Sequence, residues 1–173
     1  MKYFLGVDPG LEGAFVILNE SSQIVEKIGM PLIGNEYNKT EMKEILLGRE
    51  YVHIGLENPQ HMFGGSKKSA VSLAGCVRLI EGMLFALELS HTLVRPKEWQ
   101  KEMWKHIKIQ YKVSTSGKTK VVDTKATSSL SVINIWPKED FYLTNKGNKS
   151  KNMNDGLVDA VLICEYVRRI YGK

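Results

Sequence analysis

Four acidic residues, placed where apolar segments begin or end, constrain this chain more than any other feature. Asp8 and Glu57 each follow a run of apolar residues and are expected at the ends of buried strands. Asp155 and Asp159 are four residues apart near the start of an apolar C-terminal segment, so one helix face would carry both. Buried carboxylates repel one another unless a cation lies between them. A fold that unites the four would therefore form a site for a hard divalent cation such as Mg²⁺ or Mn²⁺.

Basic residues are concentrated in one part of the chain. The net charge is +5 and the pI is near 9.1, and the segment from Arg95 to Lys151 carries 13 Lys and Arg residues against 5 Asp and Glu residues. The rest of the chain is slightly acidic. A basic segment beside an acidic cluster suits a protein that holds phosphates with one part and metal with the other. A solvated, lysine-rich surface is the alternative interpretation of the charge alone.

Length and composition favour one domain over residues 1–173, long enough to bury a sizeable core. No signal peptide is expected at the N-terminus, and no apolar run is expected to approach the roughly 20 residues of a membrane span. Cys76 and Cys164 lie in apolar helical patterns, so we expect buried thiols rather than a disulfide or a metal pair. These features predict a cytoplasmic protein that does not bind membranes.

The apolar pattern predicts strands first and interleaved helices later, which is typical of an α/β fold with a central five-stranded mixed sheet and helices on both faces. Residues 108–121 are polar and predicted to be a mobile loop, and residues 144–153 a flexible basic linker. The predicted strands are 2–7, 13–19, 23–29, 51–57 and 91–95, and the predicted helices are 39–48, 68–90, a short one from Pro96, 122–135 and 154–171.

The longest predicted helix, residues 68–90, is apolar around nearly its whole circumference. Only Arg78, Glu81 and Glu88 form a charged strip. A helix of this kind is covered on more than one side. One side can pack on the sheet, and the other needs either a second layer within the chain or a partner subunit. We expect a homodimer.

Each of the four acids also has an ordinary structural interpretation. Asp8 precedes a Pro-Gly pair and could simply stabilise a turn. Glu57 could be solvent-exposed at its strand end. Asp155 could simply stabilise the start of a helix, where the backbone N–H groups carry a partial positive charge. Asp159 is harder to explain in this way, since it lies inside an apolar stretch with no Lys or Arg three or four residues away. A half-buried aspartate in that place needs a partner.

Three short motifs follow one another along the chain: Leu5-Gly-Val-Asp-Pro-Gly10, Ile54-Gly-Leu-Glu57 and Asn154-Asp-Gly-Leu-Val-Asp-Ala160. In this order they resemble the RuvC-type Holliday junction resolvases of the RNase H-like nuclease superfamily, over nearly the whole chain. Bacterial members typically space the last two metal-binding positions three residues apart. The spacing of four found here is similar to the organellar and some viral branches, and a phage or viral member would act in its host's cytoplasm.

The resemblance implies a dimeric, Mg²⁺-dependent endonuclease that cuts four-way and other branched DNA, with Mn²⁺ able to substitute. The four acids match the family's metal-binding positions, and two-metal hydrolysis would leave 5′-phosphate and 3′-hydroxyl ends. Lys125, at the start of a helix, matches the family's basic residue near the scissile phosphate, and Lys118 is a neighbouring candidate.

The segment 60–65 resembles the loop that enters the junction centre, with Phe63 as the stacking wedge; a surface loop anchored by one core aromatic is the alternative. Trp99 and Trp104 are expected to be packing residues, and none of the four histidines is expected to bind metal. Besides Phe63, the residues expected to bind DNA are Lys67, Lys68, Lys97, Lys118, Lys120 and Lys125.

Three other functions stay open. A nuclease acting on RNA/DNA hybrids can have the same fold, but in ribonucleases H the glutamate typically lies on a helix, whereas Glu57 follows a strand. An actin-like or sugar-kinase ATPase also carries an Asp-Pro-Gly turn, but the chain has no clear second phosphate loop and is short for two lobes. A catalytically inactive junction-binding protein would not need all four acids.

Overall fold

A computed structural model of the chain describes residues 1–59, 67–114, 116–142, 144–145, 148–149 and 153–173. The strands are β1 Tyr3–Asp8, β2 Ala14–Asn19, β3 Ile24–Gly29, β4 Leu32–Ile33, β5 Glu36–Tyr37, β6 Tyr51–Glu57, β7 His91–Val94, β8 Tyr111–Val113, β9 Lys120–Val122, β10 Thr144–Asn145 and β11 Asn148–Lys149. The helices are α1 Lys39–Leu47, α2 Lys67–Ala86, α3 Pro96–Met103, α4 Thr124–Ile135 and α5 Asp155–Tyr171.

Five strands form the central sheet in the order β3-β2-β1-β6-β7. The first three make an antiparallel meander, while β6 runs parallel to β1 and β7 runs parallel to β6. The predicted five-stranded mixed sheet is therefore confirmed. Val7 of β1 pairs with Leu56 of β6, so the carboxyl ends of the two strands lie side by side at one edge of the sheet.

Helices cover both faces of this sheet, as predicted. Alternation along β1 sends Phe4 to the core shared with α3, α4 and α5, whereas Leu5 and Val7 enter the core shared with α1 and α2. The long C-terminal helix α5 is buried along most of its length. Cys76 and Cys164 are buried free thiols on opposite faces, in agreement with the sequence.

A glycine in β1 lets α5 lie directly on the strand. A Cβ atom at Gly6 would stand 2.1 Å from the carbonyl oxygen of Ala160 and 2.4 Å from the backbone nitrogen of Cys164. Both are backbone atoms of α5, so no side-chain movement could relieve the contact. This close approach brings the acidic N-terminal turn of α5 to the same sheet edge as the end of β1.

Two segments differ from the prediction. The predicted mobile loop 108–121 contains an antiparallel hairpin in which Tyr111 pairs with Val122 and Val113 with Lys120. Its strands use aromatic and β-branched residues, and Gly117, at φ +73°, supplies the left-handed turn conformation. The predicted linker 144–153 likewise contains the paired strands β10 and β11. Polar and apolar residues are mixed in both hairpins, so apolar periodicity does not predict their strands.

Helix α2 is shorter than predicted, because it ends at Ala86 and Glu88 adopts a left-handed conformation with φ 54°. By length and composition alone, its stretch Ser69–Ala86 is apolar enough to cross a bilayer, so the expectation of no such run is wrong. One face packs against the sheet through buried Cys76, Val77, Ile80 and Leu84. On the opposite face, Val71 is 73% exposed and Phe85 80% exposed, so the described residues do not provide the second covering layer.

Candidate active site

Asp8 and Glu57 lie together at the carboxyl edge of the sheet. Each is the last residue of its strand, and the pairing of the preceding residues, Val7 and Leu56, places them in adjacent positions. Strand alternation turns both side chains toward the face that α5 covers. Their carboxyl groups hydrogen-bond to each other, which requires a shared proton because two carboxylates cannot donate.

The first turn and a half of α5 adds Asp155 and Asp159. The helix begins at Asn154, whose side chain accepts a hydrogen bond of 2.8 Å from the backbone N–H of Leu157. Next to it, a Cβ atom at Gly156 would stand 2.2 Å from the carbonyl oxygen of Glu12. Only glycine allows the helix to start this close to the β1–β2 turn. Both aspartates lie on one face of the helix, as predicted, but the side chain of Asp155 is 44% exposed and borders the surface rather than the core.

The carboxyl groups raise one another's proton affinity. Burial, followed by the charges of Glu57 and Asp159, raises the pKa of Asp8 well above its ordinary value. Burial also raises the pKa of Glu57, against the opposing effect of its hydrogen bonds. For Asp159, burial and the charge of Glu57 raise the pKa to about 8. Without a cation, the site therefore holds protons at neutral pH.

Lys125 is the basic residue that the fold places against these acids. It stands in the first turn of α4 and its ammonium group donates to Asp155. This hydrogen bond raises the pKa of Lys125, with further contributions from the charges of Asp155, Glu12 and Asp159. Its side chain is 67% exposed, so the ammonium group is accessible to a ligand. Lys118, the other candidate, is exposed in the β8–β9 hairpin.

Two side chains at the site were not predicted to serve it. Trp99, expected to be a packing residue, is fully buried but also donates its Nε1–H to Glu57 Oε1 at 2.8 Å. Ser128, a buried polar residue of α4, hydrogen-bonds Asp159. The sequence contained one signal for Trp99: Pro96 starts a helix directly after β7, beside the strand that carries Glu57.

The chemistry of the donors fits a hard divalent cation. All four acids offer only oxygen atoms, and a cation would relieve the repulsion that raises the pKa of Asp8 and Asp159. In the described part of the chain, no three His, Cys, Asp or Glu side chains already stand at metal-binding distances. Metal binding by these acids stays a prediction.

Two open clefts meet at Lys125 and Asp155. One extends past Asp8 to the β1–β2 turn and to Tyr37 of β5 and the start of α2. The other extends to Lys112 of the β8–β9 hairpin and to Tyr142. Since the same ion pair borders both, Asp155 lies at the middle of a groove between α2 and the hairpin, and Asp8 lines the part of that groove nearer α2.

The remaining predicted DNA-binding residues either do not line the two clefts or have side chains outside the described part of the chain. Lys97, Lys118 and Lys120 are exposed on α3 and the hairpin, while Phe63 lies outside the described residues and only the backbone is described for Lys67 and Lys68. Among the histidines, His53 is buried at the far end of β6, where its ring bonds Ser90 and Thr92 and stacks on Tyr171 at 3.6 Å.

Comparison with known proteins identifies the fold. No protein-family model matches the chain, and no curated protein matches it in sequence. Solved structures match it in three dimensions, two RuvC structures among them. "T. thermophilus RuvC in complex with Holliday junction substrate" has a TM-score of 0.63 at 12% identity, covering 98% of this chain and 96% of that one. "Thermus thermophilus RuvC structure" has a TM-score of 0.62 at 12% identity, covering 97% and 96%. The chain therefore has the fold of the RuvC Holliday junction resolvases, which is the fold that its sequence motifs predict.

Proposed function

We propose that this protein is a Mg²⁺-dependent endonuclease that resolves four-way and other branched DNA by paired phosphodiester hydrolysis, leaving 5′-phosphate and 3′-hydroxyl ends. The observation that carries the proposal is the union of Asp8, Glu57, Asp155 and Asp159 at one sheet edge of a RuvC-like fold. The structural likeness over 98% of the chain also favours this function over the actin-like ATPase. We infer that the protein acts in the cytoplasm, or in that of a host cell if it is viral.

The four acids would hold the metal, and Mn²⁺ would replace Mg²⁺ because both accept carboxylate ligands. Bound metal supplies an activated water and stabilises the leaving 3′-oxygen. Asp8 would lie at the centre of the ligand set, since the charges of the other three acids all raise its pKa. Lys125 would move from Asp155 to the scissile phosphate and offset the charge that builds up there. Its exposed position at the meeting of the two clefts supports this role.

DNA would lie in the groove that passes the acids, with the β8–β9 hairpin on one side. Lys112, Lys118 and Lys120 project from this hairpin and are exposed. Tyr111, 62% exposed, and Val113, 64% exposed, add apolar surface beside the lysines. Lysines bind backbone phosphates, and an exposed aromatic ring can stack on an unpaired base. We infer that the hairpin and Lys97 contact the arms of a branched substrate, and that Phe63, Lys67 and Lys68 contact DNA near the branch point.

We infer a homodimer that forms through the outer face of α2. Val71 and Phe85 are the large exposed apolar residues at its two ends. Between them, Gly75 and Gly82 have no atom within 4 Å of an added Cβ, so a second helix could approach closely. A two-fold axis at this face would pair two active sites, as symmetric incision of a four-way junction requires.

Phe85→Glu is expected to convert the dimer to a monomer. Burying a phenylalanine contributes about 2 kcal/mol, and a buried unpaired carboxylate opposes association further, so the dimer should dissociate at least about 30-fold more readily. Sedimentation equilibrium at several protein concentrations measures this change. Ile170→Glu is the matched control, since Ile170 is 43% exposed on α5, which covers the other face of the sheet. Equal effects of the two changes, or none, would contradict a dimer formed through α2.

The proposed activity is tested with an end-labelled synthetic four-way junction and a linear duplex of the same sequence. We expect paired nicks near the branch point in Mg²⁺ or Mn²⁺, no cutting in EDTA, and an intact duplex. Binding without cutting would favour the inactive junction-binding protein. Preferential cutting of an RNA/DNA hybrid would favour the ribonuclease H alternative, and neither binding nor cutting would overturn the assignment to nucleic acids.

A further inference from the structure

Helix α3 holds a buried tryptophan against the candidate metal centre. The helix starts with Pro96 immediately after β7, and the side chain of Glu98 accepts a 3.0 Å hydrogen bond from the backbone N–H of Arg95. This hydrogen bond ties the first turn of the helix to the residue that precedes it. Trp99 follows in that turn with no exposed surface, and its ring meets Trp104 edge-on, with centroids 6.1 Å apart. The indole therefore has little freedom to move.

The indole N–H points at one particular atom of the site. Nε1 of Trp99 lies 2.8 Å from Oε1 of Glu57, a normal length for a hydrogen bond to a carboxylate. A glutamate at a strand end has three rotatable side-chain bonds, so its carboxylate has no fixed direction of its own. The donor immobilises one oxygen of Glu57 and leaves the second one for other partners.

We propose that Trp99 is a positioning residue, whose indole N–H orients the carboxylate of Glu57 toward Asp8 so that the two can bind one cation. The inference rests on the proposed function of the acids as a metal site. It adds to that site a residue that binds neither the metal nor DNA. Hydrogen bonds from the surroundings commonly orient metal-binding carboxylates, and their loss typically lowers metal affinity about 10–100-fold.

Trp104 provides a matched control. It packs against Trp99, and its Nε1 is buried without a hydrogen-bond partner among the described residues. Replacement by phenylalanine removes the same atoms at either position, from Trp99 inside the core cluster or from the partly buried Trp104 that packs against it. Only the change at Trp99 removes a donor to Glu57.

The first experiment measures Mn²⁺ binding to the parent protein, Trp99→Phe and Trp104→Phe by calorimetry. We expect Trp99→Phe to weaken Mn²⁺ binding about tenfold and Trp104→Phe to leave it unchanged. In junction cleavage at limiting Mg²⁺, kcat should fall for Trp99→Phe while KM for DNA stays within about twofold. In a Glu57→Gln background, Trp99→Phe should have no further effect on Mn²⁺ affinity. Equal Mn²⁺ affinities of the two phenylalanine variants would overturn the proposal.

A second measurement uses the folded parent protein, so that it does not depend on the stability of Trp99→Phe. The three tryptophans should give three indole N–H signals in ¹⁵N NMR, assigned by replacing Trp104 and Trp136 in turn. The signal of Trp99 should shift on addition of Mg²⁺. That of Trp136, which donates to the carbonyl of Ser22 at 2.7 Å, should not.

Different results would overturn the metal site and the role of Trp99. A parent protein that binds no Mn²⁺ and cuts no junction would overturn the metal site, and the role of Trp99 with it. A parent protein that binds Mn²⁺ and cuts junctions, while the Trp99 signal stays fixed on Mg²⁺ addition, would overturn the role of Trp99 alone.

Discussion

Asp8→Asn is expected to lower the rate of junction cleavage by roughly 10³-fold, the size of effect seen when a group that stabilises transition-state charge is removed. The carboxyl group of Asp8 hydrogen-bonds to that of Glu57, and the charges of Asp155 and Asp159 raise the pKa of Asp8. Loss of this carboxylate should therefore weaken metal binding by the whole proposed ligand set. Binding of the junction should persist, because phosphate contacts depend on the lysines. Single-turnover cleavage in Mg²⁺ and a gel-shift titration in Ca²⁺ would measure the two properties separately.

Glu12→Gln is the control for this change. Glu12 is an exposed acid that lines the same cleft as Asp8, yet it is outside the proposed ligand set. Its replacement should leave the cleavage rate within a few-fold of the parent. If Asp8→Asn cleaved as fast as the parent, the acids at the sheet edge would not be the catalytic centre.

The second large effect concerns stability and pH. In EDTA, the protein is expected to lose stability as the pH rises from about 5.5 to 8.5, whereas Asp159→Asn should lose much less. Burial and the charge of Glu57 raise the pKa of Asp159 to about 8, while an aspartate in the unfolded chain has a pKa near 4. The folded state therefore keeps a proton that the unfolded state has released. Stability from this group is complete below about pH 4 and is lost as the pH rises through about 8.

Asp8 and Glu57 should also make the folded protein less stable as the pH rises, because burial raises the pKa of both. At pH 8.5, Asp159→Asn should increase the free energy of unfolding by about 2 kcal/mol, since it removes a buried charge whose burial the hydrogen bond from Ser128 does not offset. Urea titrations in EDTA at the two pH values measure this. Adding Mg²⁺ to the parent protein at pH 8.5 should restore stability, because the cation binds only the folded state.

Glu165 sets the lowest pH at which the stabilities of the parent protein and Asp159→Asn can be compared. Burial disfavours its charge, but hydrogen bonds from Arg168, Arg169 and Ser22 prevail and lower the pKa of Glu165. Its contribution to stability is present above the ordinary pKa of a glutamate and is lost as the pH falls through the lowered value. The comparison therefore starts at pH 5.5. A pH dependence that is the same in Asp159→Asn and the parent would contradict the assignment to Asp159.

Long apolar segments made the central sheet predictable. The fully buried strand Ala14–Asn19 and the strands that end at Asp8 and Glu57 were found within a residue or two, because continuous apolar runs bounded by turn residues have few other solutions. The helical spacing of Asp155 and Asp159 was equally direct. The hairpin at Tyr111–Val122 was missed, since three-residue strands with exposed side chains do not have to alternate.

The sequence by itself determined the order of the helices and of the five strands of the central sheet, the family of folds, and the four candidate acids, because local periodicity and motif order depend only on the sequence. Only the tertiary structure decided which other side chains support those acids. Trp99 is 42 residues from Glu57 in the chain, and Lys125 is 30 residues from Asp155. No local pattern can encode such pairs, since they depend on how α3 and α4 pack against the sheet and α5. The tertiary structure also distinguished Lys125 from Lys118 by placing only the former's ammonium group against Asp155.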